Sequence, residues 1–282
     1  MASRYDSQMA RSAGCRRSIP SAREGQEESR MDEREYFRRM GVKIEDIRID
    51  YESLCLIQER HMLSIPFENL DIMSGRPVAI TPEALHDKIV GRKRGGYCYE
   101  LNGLLALMLQ KVGFSVTLLS GRVWRRDGSW GPEFDHMALL VHLEEDYFVD
   151  VGFGDSARLP MRLTGEVVED AGGAYRIMAD SAPNTYLFQK RTEEGWSSTL
   201  QFTTTPRRLE DFSEMNHEQQ TSPNSHFAQR RICSLAMPTG RITISGDTFI
   251  ETNGTAKTTR QIKSDEELEQ LLRSSFGLAK EK

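Results

Sequence analysis

The prediction of the fold rests on the stretch Arg94-Gly95-Gly96-Tyr97-Cys98-Tyr99-Glu100. The apolar residues that follow it recur at the spacing of one helix face, at Leu101, Leu104, Leu105, Met108, Leu109 and Val112. This pattern predicts a helix that begins near Cys98 and ends at Gly113. The thiol of Cys98 would lie in the first turn, where unpaired backbone N–H groups and the helix dipole favour an anion.

Cys98 is therefore a candidate nucleophile, because the thiolate is the reactive form of cysteine. The two glycines before it lack Cβ atoms, so we expect a sharp turn into the helix and room for a substrate beside the sulfur. A buried structural cysteine is the alternative, and Cys98 judged alone favours that interpretation. The choice depends on partners elsewhere in the chain.

Two candidate partners follow on predicted β-strands. His136 stands at the head of one strand, and Asp150 lies within the next. If a turn centred on Glu144 joins the strands, Asp150 lies opposite Ala138, on the same face as His136 and one step along it. A shift of one residue in register would destroy this arrangement. Considered alone, each residue is better explained as an ordinary strand histidine or as a turn aspartate.

His142 is a competitor for the role of His136, because the two residues share one face of the strand. Six residues at about 3.3 Å each place them roughly 20 Å apart, so only one of them can reach Cys98. We favour His136, because it lies near the strand end.

Glu68 is an acid inside an apolar segment, and Arg94 is the nearest conspicuous cation beside Cys98. We expect a partly buried ion pair between them that holds the loop before Cys98 in place. Two separate surface charges are the alternative.

The composition limits the class of protein. Hydrophobic residues make up 38% of the 282 residues and charged residues 28%, which is ordinary for a globular chain of two or three packed subdomains. No apolar run approaches the roughly 20 residues of a membrane-spanning helix. A formal net charge of −5 argues against nucleic acid as a partner. Four cysteines without a CxxC pair predict free thiols and a cytoplasmic location.

The period of the apolar residues divides the chain into parts and predicts an α+β fold. The expected parts are an N-terminal extension at 1–30, a helical bundle with the nucleophile at 31–113, a β-barrel with the histidine and aspartate at 114–205, and an α/β lid at 206–282. The extension is rich in arginine and lacks the apolar core of a signal peptide, so we expect it to be disordered. Whether it is native stays open.

Taken together, five motifs resemble the arylamine N-acetyltransferase family. They are Pro66-Phe67-Glu68-Asn69-Leu70, Arg94-Gly95-Gly96-Tyr97-Cys98-Tyr99-Glu100-Leu101-Asn102, Asp135-His136-Met137, Val149-Asp150-Val151-Gly152-Phe153-Gly154 and Ser222-Pro223-Asn224-Ser225-His226-Phe227. The motifs occur in the family's order, and the second, with a later His and Asp, is highly specific. The short chain after Phe153 is more typical of bacterial members.

The resemblance implies a triad in which Cys98 accepts the acetyl group, His136 is the base and acid, and Asp150 orients the histidine. It also implies a fold of helical bundle, β-barrel and lid, with a catalytic core similar to that of papain-like proteases. The implied reaction is ping-pong, without a metal. Acetyl-CoA acetylates the thiol, and an arylamine, arylhydrazine or N-hydroxyarylamine then removes the acetyl group, as in xenobiotic metabolism.

The resemblance also implies binding residues. Phe67 and Phe153 match positions near the acceptor pocket, and Ser222 and Asn224 match a lid segment that shapes the coenzyme cleft. Asp155 stands where members of the family differ, so the acceptor stays open, as do the preferred acyl chain and the oligomeric state. Two other functions are compatible with the residues: a thiol hydrolase or peptidase, and a silent binding protein that retains the fold.

Overall fold

The computed structural model describes residues 31–254 and 256–278. The predicted disorder of residues 1–30 lies outside the described residues. Within this part of the chain, the α-helices are α1 (Glu33–Arg39), α2 (Tyr51–Ser64), α3 (Leu70–Met73), α4 (Pro82–His86), α5 (Cys98–Lys111), α6 (Ser213–Thr221), α7 (His226–Gln229) and α8 (Asp265–Phe276). Short 3-10 turns at Ile44–Asp46 and Leu209–Phe212 and a π-helical turn at Asp87–Gly91 complete the helical elements.

The described strands form two sheets. They are β1 (Phe67–Glu68), β2 (Ser115–Val123), β3 (His136–His142), β4 (Asp146–Val149), β5 (Met161–Arg162), β6 (Val168–Asp170), β7 (Gly173–Ala179), β8 (Thr185–Thr192), β9 (Gly195–Thr203), β10 (Ile232–Met237), β11 (Gly240–Ser245), β12 (Thr248–Asn253) and β13 (Ala256–Gln261). The eight-stranded sheet has the order β5-β4-β3-β2-β9-β8-β7-β6, and the five-stranded lid sheet has the order β1-β10-β11-β12-β13. Because β5 packs against β7 near the opposite edge, the larger sheet is nearly closed. The architecture is α+β, as predicted.

Three hydrophobic cores match these parts of the fold. One lies among the helices around α5, whose residues Leu101, Leu104, Leu105, Met108 and Leu109 are all fully buried. A second fills the inside of the larger sheet, and a third lies between the lid sheet and α8. The helix predicted from the apolar stripe after Cys98 is therefore confirmed, and it is buried by the elements around it.

One element departs from the predicted helical bundle. Phe67 and Glu68 form β1, which pairs antiparallel with β10 of the lid sheet, so the first part of the chain contributes a strand to the last. Two residues are too few to show the alternation that marks a strand. Pairing with a distant segment determines this element, and local sequence cannot predict it.

No helix in the described part of the chain is both long and apolar enough to cross a bilayer.

Candidate active site

Cys98 is the first residue of α5, and it is only 2% exposed. Its backbone packs directly against Gly152, where an added Cβ would lie 2.7 Å from Cys98 Cα and 3.1 Å from Cys98 O. Only glycine fits there, so the chain after Asp150 can lie against the first turn of α5. The two predicted halves of the site thus meet through backbone contact.

The hairpin β3–β4 has the predicted register. Leu139 pairs with Val149 and Leu140 with Phe148, which continues to the expected position of Asp150 just beyond the end of β4. His136 Nε2 lies 2.9 Å from Asp150 Oδ2. Asp150 thus takes up Nε2, and the neighbouring Cys98 thiol also raises the pKa of the imidazole. Histidine and aspartate are therefore brought together as the sequence predicted.

Asn102 is a part of the site that sequence reasoning missed. It lies one turn after Cys98 on α5 and is fully buried. Its Nδ2 donates to Asp150 Oδ1 at 2.8 Å and to the Met137 carbonyl at 2.6 Å, and its Oδ1 accepts from Val151 N–H at 3.0 Å. A polar residue at i+4 from the nucleophile was the available signal, since i and i+4 share a helix face.

The carboxylate of Asp150 controls the charge on His136. Burial disfavours the imidazolium and is the largest single influence on its pKa. The charge and hydrogen bond of Asp150, together with the Cys98 interactions, outweigh burial and raise the pKa of His136 to about 10. At neutral pH the histidine is therefore protonated beside the thiol.

The site opens into a cavity of about 920 Å³ that Cys98 and His136 line. Phe67 and Phe153 both line it, and the Phe153 ring lies edge-on to the imidazole at 5.1 Å between centroids. Phe227 adds a third aromatic wall, 6.0 Å from Phe67 between centroids. The immediate surroundings of the thiol thus suit a flat apolar group.

One face of the lid sheet forms the floor of this cavity. The floor residues are Phe67 on β1, Ser234 on β10, Thr243 and Arg241 on β11, Ile250 and Thr252 on β12 and Lys257 on β13. They lie opposite one another in register and therefore share a face. Four inter-strand spacings separate the first from the last, roughly 19 Å. An extended ligand could follow this floor away from the thiol.

Ser222 and Asn224 also line the cavity, between α6 and α7. Arg125 and Arg126 line the same cavity from the loop after β2. Burial first, and then the nearby charges of Arg230 and Arg126, lower the pKa of His226 on α7. Several cations therefore gather at this end of the cavity, where an anionic ligand would be favoured.

The predicted pair of Glu68 and Arg94 is present and buried. Arg94 donates to Glu68 Oε1 from Nε at 3.0 Å and from Nη2 at 2.8 Å. The pair also belongs to a larger cluster that sequence reasoning missed. Asp71 accepts from Arg94 at 3.2 Å and from Lys88 at 2.8 Å, and Lys88 donates to Glu100 at 2.7 Å.

Gly95 and Gly96 are needed for a reason other than the expected one. Neither has a positive φ. A Cβ on Gly95 would lie 2.0 Å from the Pro66 carbonyl oxygen, and one on Gly96 would lie 2.7 Å from Glu100 Cβ. Glycine is needed at both positions because neighbouring protein atoms occupy the space that a Cβ would take. The expected need for room beside a substrate does not explain them.

His142 lies at the far end of β3, where it contacts Asp146 at 2.6 Å and Thr117 at 2.8 Å. The choice of His136 over His142 is therefore supported by position. Among the described residues, no group of three or more His, Cys, Asp or Glu side chains is arranged to hold a metal ion. The chemistry that the described side chains offer is a thiol, an imidazole and an orienting carboxylate, which is the set used for acyl transfer through a covalent intermediate.

The chain matches the family model described as N-acetyltransferase over residues 50–282. It is 32% identical over 278 residues to arylamine N-acetyltransferase 2 of Mus musculus, covering 89% of this chain and 96% of the mouse protein. The solved structure of arylamine N-acetyltransferase C from Bacillus anthracis is similar, with a TM-score of 0.81 and 30% identity, covering 88% and 98% of the two chains. The Mycobacterium marinum arylamine N-acetyltransferase in complex with CoA also has a TM-score of 0.81 at 30% identity, covering 88% and 93%. These likenesses confirm the predicted fold.

Proposed function

The chain belongs to the arylamine N-acetyltransferase family, and from that premise we propose that it transfers acetyl groups from acetyl-CoA to aromatic amines through a thioester on Cys98. The observation that carries the proposal is the contact of His136 with Asp150 at 2.9 Å beside a thiol that faces the cavity. An imidazolium beside a cysteine favours the thiolate, which is the nucleophilic form.

The first half-reaction is exchange of one thioester for another. The Cys98 sulfur attacks the acetyl carbonyl, the carbon–sulfur bond to the coenzyme breaks, and the departing thiolate takes the proton from His136. The backbone N–H of Cys98, in the first turn of α5, is our candidate donor to the negative oxygen that forms. Because the bonds exchanged are of one type, positioning and charge stabilisation supply most of the catalysis.

The second half-reaction uses the now neutral His136 as a base. An aromatic amine is largely uncharged at neutral pH, so its nitrogen can attack the acetyl carbon directly. The bond to Cys98 breaks as the new C–N bond forms, and the amine proton passes to His136. Asp150 holds the imidazole in place and balances its charge in both half-reactions.

The finer binding assignments rest on the cavity. We assign the acceptor ring to the aromatic walls formed by Phe67 and Phe153, since both lie beside the thiol. We assign the coenzyme to the surface that includes Ser222 and Asn224, because the nearby cations suit its phosphates. Arylhydrazines and N-hydroxyarylamines are further proposed acceptors.

We also propose a cytoplasmic location. Cys55, Cys98 and Cys233 are free thiols among the described residues, as a reducing compartment would require.

Intact-mass measurement after incubation with acetyl-CoA tests the proposal. We expect a single acetyl adduct on the wild-type chain, its rapid loss when an aromatic amine is added, and no adduct on Cys98→Ala. The variant should keep its thermal unfolding midpoint. An adduct that water removes as fast as amine does would instead favour a hydrolase, and an unreactive folded wild type would favour a silent binding protein.

A further inference from the structure

Glu100 lies on the side of α5 that faces away from the cavity. It is the third residue of the helix, and its carboxyl group is only 2% exposed. Oε2 accepts a hydrogen bond from the backbone N–H of Tyr97, the residue that caps the helix, at 3.0 Å. Oε1 accepts from Lys88 Nζ at 2.7 Å. One carboxylate therefore joins the backbone immediately before the nucleophile to a buried cation.

We propose that Glu100 is a positioning residue for acyl transfer, whose ionised carboxylate, held by Lys88, fixes the backbone from which the Cys98 helix begins. The proposal rests on the function proposed above, since it concerns the rate at which Cys98 is acetylated. Glu100 does not line the cavity, so it acts through Tyr97 and Cys98.

The local backbone is built around this contact. A Cβ on Gly96 would lie 2.8 Å from Glu100 Oε2, so glycine at this position is what admits the carboxylate. Lys88 is held in turn by Asp71 at 2.8 Å. Both oxygens of Glu100 thus have fixed partners, and a proton on either oxygen removes one of the two hydrogen bonds.

The burial of Glu100 and the charges around it determine the pH at which its carboxyl group ionises. The titratable groups packed nearby are Glu68 on β1, Asp71 on α3, Lys88 in the π-helical turn, Arg94 in the following loop, and Tyr97 and Cys98 at the start of α5. Three buried carboxyl groups here face the two buried cations Lys88 and Arg94. Burial first, opposed by Lys88 and reinforced by Glu68, raises the pKa of Glu100 to about 7. Protonation of Glu100 therefore occurs close to neutral pH.

The decisive measurement is the first-order rate constant of Cys98 acetylation by acetyl-CoA, followed by acid quench and intact mass from pH 5.5 to 9 (about the range that brackets this ionisation). In the wild type we expect the rate to fall as pH drops through about 7. Glu100→Gln imitates the protonated state, so we expect it to lack this fall and to be roughly tenfold slower at the high-pH plateau.

Lys88→Met gives a second, directional test. Without the charge of Lys88 the carboxyl of Glu100 becomes harder to ionise, so the fall in rate should move to higher pH. Lys88→Arg should restore the wild-type profile. Arg76→Gln is the matched control, because Arg76 binds Asp71 from the exposed side at 3.1 Å and should leave the profile unchanged.

The outcomes separate the two proposals. A wild type that forms no adduct contradicts the acyltransfer itself. If the wild type is acetylated but the fall in its rate at acidic pH persists in Glu100→Gln, the proposed role of Glu100 is overturned. The same follows if Glu100→Gln is slower than the wild type by an equal factor at every pH. Should Glu100→Gln fail to fold, an unshifted profile in Lys88→Met overturns it instead.

Discussion

Two buried polar clusters lie on opposite sides of the first turn of α5, and they are built differently. The reacting side has Cys98, His136 and Asp150 at the wall of the cavity. The other side has the ion-pair cluster of Glu68, Asp71, Lys88, Arg94 and Glu100, and none of these five described residues lines the cavity. The fold thus separates the groups that react from the charges that hold the loop. We therefore expect the largest effects on the rate from changes on the first side, and the largest effects on stability from loss of a charge on the second.

Asp150→Asn should give the largest effect and should separate the two sides most clearly. The variant keeps the shape of the side chain but removes the charge that favours the imidazolium. We expect the acetylation rate to fall by roughly 10³- to 10⁴-fold, by comparison with loss of the third member of other triads. The thermal unfolding midpoint should also fall at neutral pH, because the variant loses the stabilisation that Asp150 gives to the charged His136 imidazolium. A rate within tenfold of the wild type would contradict the assigned role of Asp150.

Arg94→Met tests the other side. Its removal leaves the buried Glu68 without the cation that it binds, while Asp71 keeps Lys88, so we expect a loss of about 3–5 kcal/mol in the free energy of unfolding, measured with urea. The double variant with Glu68→Gln should lose less than the two single losses added together, because the uncompensated charge is gone. Strict additivity would show that the pair is not coupled.

In the wild-type protein, the pH dependence of the free energy of unfolding should distinguish the two clusters. The pKa of His136 in the folded protein is raised from 6.5 to about 10. Its contribution to the free energy of unfolding is therefore complete below pH 6.5 and is lost as pH rises through 10. The pKa of Glu100 in the folded protein is raised from 4.5 to about 7. Its contribution to the free energy of unfolding is therefore complete below pH 4.5 and is lost as pH rises through 7. Stability should therefore decline in two steps as pH rises.

Urea unfolding of the wild type across this pH range measures both steps. Asp150→Asn should weaken the alkaline step, and Glu100→Gln should remove the acidic one. If either variant alters both steps equally, the two clusters are coupled, and the separation drawn between them is wrong.

His142→Gln should have the smallest effect. The side chain lies at the outer end of β3 and is about one-third exposed, with Asp146 and Thr117 as its partners. We expect acetylation within about twofold of the wild-type rate and a change in stability below about 1 kcal/mol. A large loss of activity would mean that the wrong histidine has been assigned to the site.

The sequence was a good guide wherever a regular period or a strand register controlled the structure. The stripe after Cys98 predicted α5, and strand parity predicted the contact of His136 with Asp150. Both depend on local geometry that repeats along the chain, so the sequence carries them directly.

The remainder depends on contacts between distant segments. Asn102 stood in a quoted motif, but its role requires knowing that the backbone after Asp150 packs against α5. Lys88 is one of many charged residues in the sequence, and only the fold shows that it is buried between Asp71 and Glu100. Ion pairs of this kind cannot be read from charge order, because several pairings are equally compatible with it.

Strand β1 links the loop before Cys98 to the lid. Glu68 N–H donates to the Gly96 carbonyl at 2.8 Å on one side, while Phe67 pairs with Ser234 on the other. During synthesis α5 can form early, but β1 receives its second partner only after Ser234 has left the ribosome, well over a hundred residues later. In a nascent or truncated chain that lacks β10, the structure around the Cys98 thiol is therefore incomplete. The surroundings of the thiol are completed only when the lid sheet forms.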